Sequence, residues 1–169
     1  VNSSGVFDLS VYPVSIGSLE GSGPVQLGTT VTVDPFIVGN NALSTTYGGL
    51  MSGTRTNVTK VGSGTLTLTH DNTYTAPTIV EQGTLTVEGM QLDSDVLVKN
   101  GGTISGTGWV GDLNVALGGR VFPGAAHSSL ATRNTVLSND VVLNIDIRGA
   151  IPNLDHDQLS VARTVNLAE

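Results

Sequence analysis

A five-residue phrase recurs along this chain at nearly constant spacing. Gly64-Thr65-Leu66-Thr67-Leu68, Gly83-Thr84-Leu85-Thr86-Val87 and Gly102-Thr103-Ile104-Ser105-Gly106 begin 19 residues apart, and the looser Gly119-Arg120-Val121-Phe122-Pro123 follows after 17. A second apolar run precedes the later phrases: Thr78-Ile79-Val80, Val96-Leu97-Val98 and Leu113-Asn114-Val115, at steps of 18 and 17. Polar corners such as Lys99-Asn100-Gly101 separate the two runs. Two short strands per period of about 19 residues form a unit that cannot bury its apolar face alone, so the pattern predicts a winding array whose turns cover one another.

Alternation tells which side chains go inside. Successive residues of a strand face opposite ways, so Leu66 and Leu68 share one face while Thr65, Thr67 and Thr69 share the other. With one period per turn and roughly 4.8 Å between turns, Leu66, Leu85, Ile104 and Val121 form one interior column, with Leu68 and Val87 beside it. The expected fold is all-β, a right-handed parallel β-helix. Corner glycines permit positive φ, and outward Thr suits both a strand backbone and water. One turn buries too few aliphatic groups to offset the entropy of ordering it, so stability has to come from neighbouring turns and the end turns need covering.

Upstream, Val6-Phe7-Asp8-Leu9-Ser10, Val14-Ser15-Ile16, Pro24-Val25-Gln26-Leu27 and Thr30-Val31-Thr32-Val33 read as short strands between Gly and Asn signals, and 39–50 as turn, strand and turn. Downstream, Val141, Leu143, Ile145 and Ile147 alternate with Val142, Asn144, Asp146 and Arg148, which predicts one long strand before a loop and the runs Gln158-Leu159-Ser160-Val161 and Thr164-Val165-Asn166-Leu167. Residues 1–136 are therefore expected to form the helical turns. Residues 137–169 are expected to continue or cap them within the same domain.

Composition narrows the function. Gly, Thr, Ser and Asn fill 70 of 169 positions, a mix that starves helices, while 38% hydrophobic residues suffice for a core. Fourteen acidic against 7 scattered basic residues give a net charge of −7, which disfavours a nucleic-acid partner. The absence of cysteine excludes disulfides, thiolate metal sites and thiol nucleophiles. No apolar run reaches the roughly 18 residues of a membrane helix. The opening Val1-Asn2-Ser3-Ser4-Gly5 lacks the features of a signal peptide and fits an excised or processed segment.

Candidate chemistry is sparse. Asp155-His156-Asp157 offers carboxylates and an imidazole, but in an extended run His156 faces away from both acids, and a solvated loop is the expected reading. His127-Ser128-Ser129 pairs a base with hydroxyls, yet adjacent residues seldom reach nucleophile-to-base geometry. Asp93-Ser94-Asp95 and Asp71-Asn72 resemble calcium-loop acids without the surrounding repeat, and turns favour these residues unaided. No cofactor and no catalytic residue is expected. Trp109, Tyr47 and Tyr74 are the candidates for stacking on a sugar ring, weighed against packing at corners. Arg148-Gly149-Ala150 is not an Arg-Gly-Asp motif.

Several runs in order resemble a known family. Gly39 to Gly53, Val58-Thr59-Lys60-Val61-Gly62-Ser63-Gly64-Thr65-Leu66-Thr67-Leu68, Asn72-Thr73-Tyr74-Thr75 and Gly83-Thr84-Leu85-Thr86-Val87 are similar to the autotransporter-associated β-strand repeat of Gram-negative type V secretion passengers. Gly101 to Gly111 and Gly118 to Gly124 resemble the pertactin-like stretch that follows it, and Asp157 to Val161 the closing strands. The resemblance spans roughly residues 17 to 167. It implies a secreted or cell-surface β-helical stalk or folding core, exported through a C-terminal outer-membrane β-barrel of the parent protein. It also makes the glycosylation-like sequons at Asn2 and Asn57 read as accidental.

Two classes of function remain beside the structural stalk, which could itself pair with copies on neighbouring cells. One is an adhesin module contacting a host surface or glycan. The other is a polysaccharide-active β-helix, disfavoured because such enzymes need Asp with Arg or Lys in a groove and the outward repeat positions here are mostly Thr and Ser.

Overall fold

The protein is described here by a computed structural model covering residues 5–9, 13–29, 35–124 and 128–167. The expected strand Thr30-Val31-Thr32-Val33, His127, the sequon at Asn2 and Ser10 lie outside the described residues. Among the described residues every regular element is a β-strand and every strand pairing is parallel.

The chain winds into a β-solenoid with three sides. One side is an eight-stranded sheet built in order from Val14–Ile16, Phe36–Val38, Val58–Lys60, Thr78–Val80, Val96–Val98, Leu113–Val115, Thr135–Leu137 and Val165–Leu167. The second is a six-stranded sheet of Thr45–Tyr47, Thr65–Leu68, Gly83–Val87, Gly102–Gly106, Arg120–Pro123 and Val142–Leu143. The third is divided. Phe7–Asp8, Val25–Gln26 and Met51–Ser52 form its first part, and Met90–Gln91, Trp109–Val110, Ser129–Thr132 and Gln158–Val161 its second. Sequence periodicity anticipates two strands per turn; the structure has three, because strands of two residues such as Met90–Gln91 are too short to show an alternation.

Register follows the repeat. Leu66 pairs with Leu85, Leu85 with Ile104 and Ile104 with Val121, while Leu68 pairs with Val87. All six of these side chains are buried. The outward partners Thr67, Thr86 and Ser105 form a parallel column of half-buried hydroxyls. Along the eight-stranded sheet, equivalent residues from Val14 to Val165 are separated by 22, 22, 20, 18, 17, 22 and 30 residues, so turns of very different length keep one register. The extra residues leave at the corners.

One corner shows why glycine recurs. Gly62 and Gly83 have φ of 69° and 70°, and a Cβ on Gly83 would come within 2.3 Å of the Gly62 carbonyl oxygen. Positive φ and a backbone in contact with the turn below leave room only for glycine.

Two interior features are absent from the sequence reading. Lys60 occupies an inward position between Val38 and Val80 and is 1% exposed. Its ammonium donates to the carbonyl oxygens of Val61, Gly62 and Gln82 at 2.8, 2.8 and 3.2 Å, tying the corner, and burial lowers its pKa. Asn72 bridges the two parts of the third side: its Oδ1 accepts from the Met51 N–H at 2.8 Å and its own N–H donates to the Met90 carbonyl at 2.7 Å. A side chain there replaces a missing ladder bond.

The last turns open out. Val142–Leu143 pairs with Arg120–Val121, but the long strand expected over 141–148 is only these two residues. From Asp146 to Asp157 the chain instead forms a small arm, closed by Arg148 N–H to Asp155 O at 2.7 Å and Asp157 N–H to Asp146 O at 3.0 Å. Ile147, Ile151 and Leu154 are exposed on it, so the apolar alternation there does not line the core.

Candidate binding surface

The outward face of the eight-stranded sheet carries a groove. Leu97 and Asn114 pair in one outward column, continued by Val136. Asp95, Asp112 and Asn134 each precede a strand of this sheet, so they stand at its leading corner, turn above turn. Together these residues, with Pro77, line an open groove of about 370 Å³.

A charge network fixes the corner. Arg133 Nε donates to Asp112 Oδ1 at 2.6 Å and its Nη2 to Asp95 Oδ1 at 3.0 Å. Asp112 Oδ1 also accepts from Asn134 Nδ2 at 2.9 Å, and Asp95 Oδ1 from the Asp112 N–H at 2.9 Å. The Arg133 hydrogen bond is the main reason the Asp112 carboxyl lies below its usual range, and that same bond raises the guanidinium. Asp112 is therefore ionised throughout the neutral range. The partners are partly solvated, so the network orders side chains more than it stabilises the fold.

The stacking candidates separate. Tyr47 and Tyr74 are fully buried and present no ring face to a ligand, which corrects the expectation that they join Trp109. The Tyr47 hydroxyl donates to the Gly23 carbonyl at 2.6 Å, and Tyr74 joins Thr78, Ser94 and Gln91 in an interior polar network with bonds of 2.6 to 3.0 Å. Desolvation pushes both phenols up to about 12, against the lowering effect of their hydrogen bonds. Each tyrosine is a core residue with a satisfied polar tip. Trp109 alone is accessible, 40% exposed beside Met90 on the third side, outside the groove.

The acidic and histidine motifs serve the backbone. Asp71 Oδ1 accepts from the Met90 N–H at 2.8 Å, and Ser94 is buried in the network above. Asp155 Oδ2 accepts from Ile151 N–H at 3.1 Å, Asp157 Oδ2 from Asp146 N–H at 3.2 Å, and a His156 ring nitrogen lies 3.2 Å from the Gly149 carbonyl. These contacts hold the arm together. Among the described residues no three His, Asp or Glu side chains are placed to hold a metal ion, and no helix is long and apolar enough to cross a membrane.

Comparison with known proteins matches residues 58–87 to the passenger-associated-transport-repeat family. In an alignment of 161 positions that covers 88% of its length, the chain is 33% identical to an extracellular serine protease of Serratia marcescens. In an alignment of 119 positions that covers 62% of its length, it is 37% identical to the adhesin BmaC autotransporter of Brucella suis biovar 1 (strain 1330). The chain spans 14% of the first relative and 3% of the second. No solved structure matches it significantly.

Proposed function

We propose that this chain, an autotransporter passenger-like β-helical region, acts as a surface-exposed stalk and folding core that projects other parts of its parent protein. The observation that supports this reading most is the unbroken interior column from Leu66 to Val121, which makes each turn the template for the next. In this reading the described residues up to 136 supply the regular turns, and those from 137 to 167 continue the stack. The protease activity in the name of the Serratia marcescens relative is that protein's, of which this chain spans 14%. The chain's partner is the outer-membrane β-barrel of the parent, and its location the surface of a Gram-negative cell. A second reading, in which the stalk also contacts glycans as an adhesin module, is supported by the open groove on its eight-stranded sheet.

The stalk reading is tested in the parent protein displayed on cells. Leu85→Asp should place a charge in the buried column, reduce surface display several-fold and remove the protease-resistant fragment that contains this segment. Wild-type display and resistance in that variant would overturn the reading.

A further inference from the structure

The groove beside Asp95 and Asp112 has a chemistry that selects among ligands. Its floor is apolar, from Leu97 and Val136. Its rim carries two carboxylates and two amides, and the nearby guanidinium of Arg133 is already engaged by both carboxylates. An anionic ligand would meet those carboxylates within a chain of net charge −7 and find no uncommitted cation at the rim. An extended peptide fares no better. It would need an open strand edge for backbone pairing, but Val96–Val98, Leu113–Val115 and Thr135–Leu137 each have a neighbour on both sides.

A pyranose fits both parts of this surface. Its hydroxyls donate to carboxylates and accept from amide N–H groups, while its C–H face packs on aliphatic side chains. Asn114 is exposed at the centre of the outward column, and among the described residues its side chain makes no hydrogen bond. Asn134 is fixed in orientation by a bond on each of its atoms, donating to Asp112 and accepting from Thr164 Oγ1 at 2.8 Å. Asp95 accepts both of its bonds on Oδ1. Asp112 likewise accepts from Arg133 and Asn134 on Oδ1 alone, so the groups least committed to the protein are the Asn114 amide and the second oxygens of Asp95 and Asp112, all lining the groove with Leu97.

We propose that this groove is a subsite for neutral oligosaccharides, with Asn114, Asp95 and Asp112 holding ring hydroxyls and Leu97 and Val136 packing against the ring face. The assignment rests on the reading that the stalk contacts glycans. It places the contact on the eight-stranded sheet instead of at Trp109.

The test applies the 169-residue chain to a printed array of neutral gluco-, galacto- and N-acetylhexosamine oligosaccharides alongside sialylated and sulfated ones, followed by titration of the strongest neutral hit. Binding of neutral members is expected. Asn114→Ala should weaken the hit about tenfold, the loss of one well-made hydrogen bond, and Leu97→Thr should weaken it comparably, while Trp109→Ala changes it less than about twofold. All three side chains lie on outward faces, Asn114 and Trp109 exposed and Leu97 half-buried, so melting temperatures should stay close to wild type. Loss of binding in Trp109→Ala with Asn114→Ala and Leu97→Thr unaffected would overturn the groove assignment and leave the glycan reading standing. Preference for the anionic members would overturn the proposed ligand class. An array on which nothing binds would overturn both the assignment and the glycan reading.

Discussion

Val98 and Leu167 stand in the same inward column of the eight-stranded sheet, linked through Val115 and Leu137. Val98 is completely buried, whereas Leu167 is 68% exposed. The residues are alike in chemistry and in strand position, so the difference comes from what lies above them. Val98 has a turn on either side; Leu167 has one only among the described residues. The same contrast runs through Leu85 and Leu143, both inward residues of the six-stranded sheet, of which only Leu85 is covered. In a solenoid, burial belongs to the neighbouring turns more than to the residue, and the middle of the stack carries the stability.

That comparison can be tested by placing comparable changes at both ends of the scale. In thermal and denaturant unfolding of the isolated chain, Leu85→Asp should leave no cooperative transition, since an unpaired carboxylate would enter a closed apolar column. Lys60→Met comes next. It keeps the stem's packing but strands the carbonyls of Val61, Gly62 and Gln82, for an expected loss of about 1–3 kcal/mol.

The buried tyrosines give a pH-dependent version. The native phenols titrate near 12, while an unfolded tyrosine releases its proton near 10, so the native state holds more protons across that window and stability falls as pH rises through it. Each contributes up to about 2–3 kcal/mol of that fall. Tyr74→Phe should make the alkaline decline shallower in urea titrations at pH 9 to 12, besides a neutral-pH loss of about 1–2 kcal/mol from its abandoned partners. The smallest effect is expected at the open end: Leu167→Asp should shift stability by less than about 0.5 kcal/mol, the range of ordinary surface changes. A Leu167→Asp loss as large as that of a central aspartate would mean that the last turn is covered in solution.

What could be read from the sequence is what alternation encodes. Gly-Thr-Leu-Thr at a steady period predicts the Leu66, Leu85, Ile104 and Val121 register, because inward aliphatic and outward hydroxyl residues differ sharply in burial. Alternation also misleads. Val141 to Ile147 has the pattern of a long strand, yet the backbone leaves the stack after Leu143 and the isoleucine at 147 faces solvent. Lys60 was hidden by its charge, since the carbonyls that make its burial tolerable are gathered only by the corner. Tyr47 and Tyr74 offer aromatic rings that could stack on a ligand or pack inside, and only the fold shows their hydroxyls satisfied inside. The groove drew no attention in sequence because Asp95, Asp112 and Asn134 are 17 and 22 residues apart and join only through stacking.

The unequal turn lengths carry an engineering consequence. Steps from 17 to 30 residues share one alignment because the surplus bulges out at corners, as the arm from Asp146 to Asp157 does. A foreign epitope or a small domain grafted at that arm would ride on the outside of the shaft, leaving the hydrogen-bond ladders beneath it undisturbed. Such a scaffold accepts cargo by lengthening a bend, which gives it room to diversify its exterior while its axis stays the same.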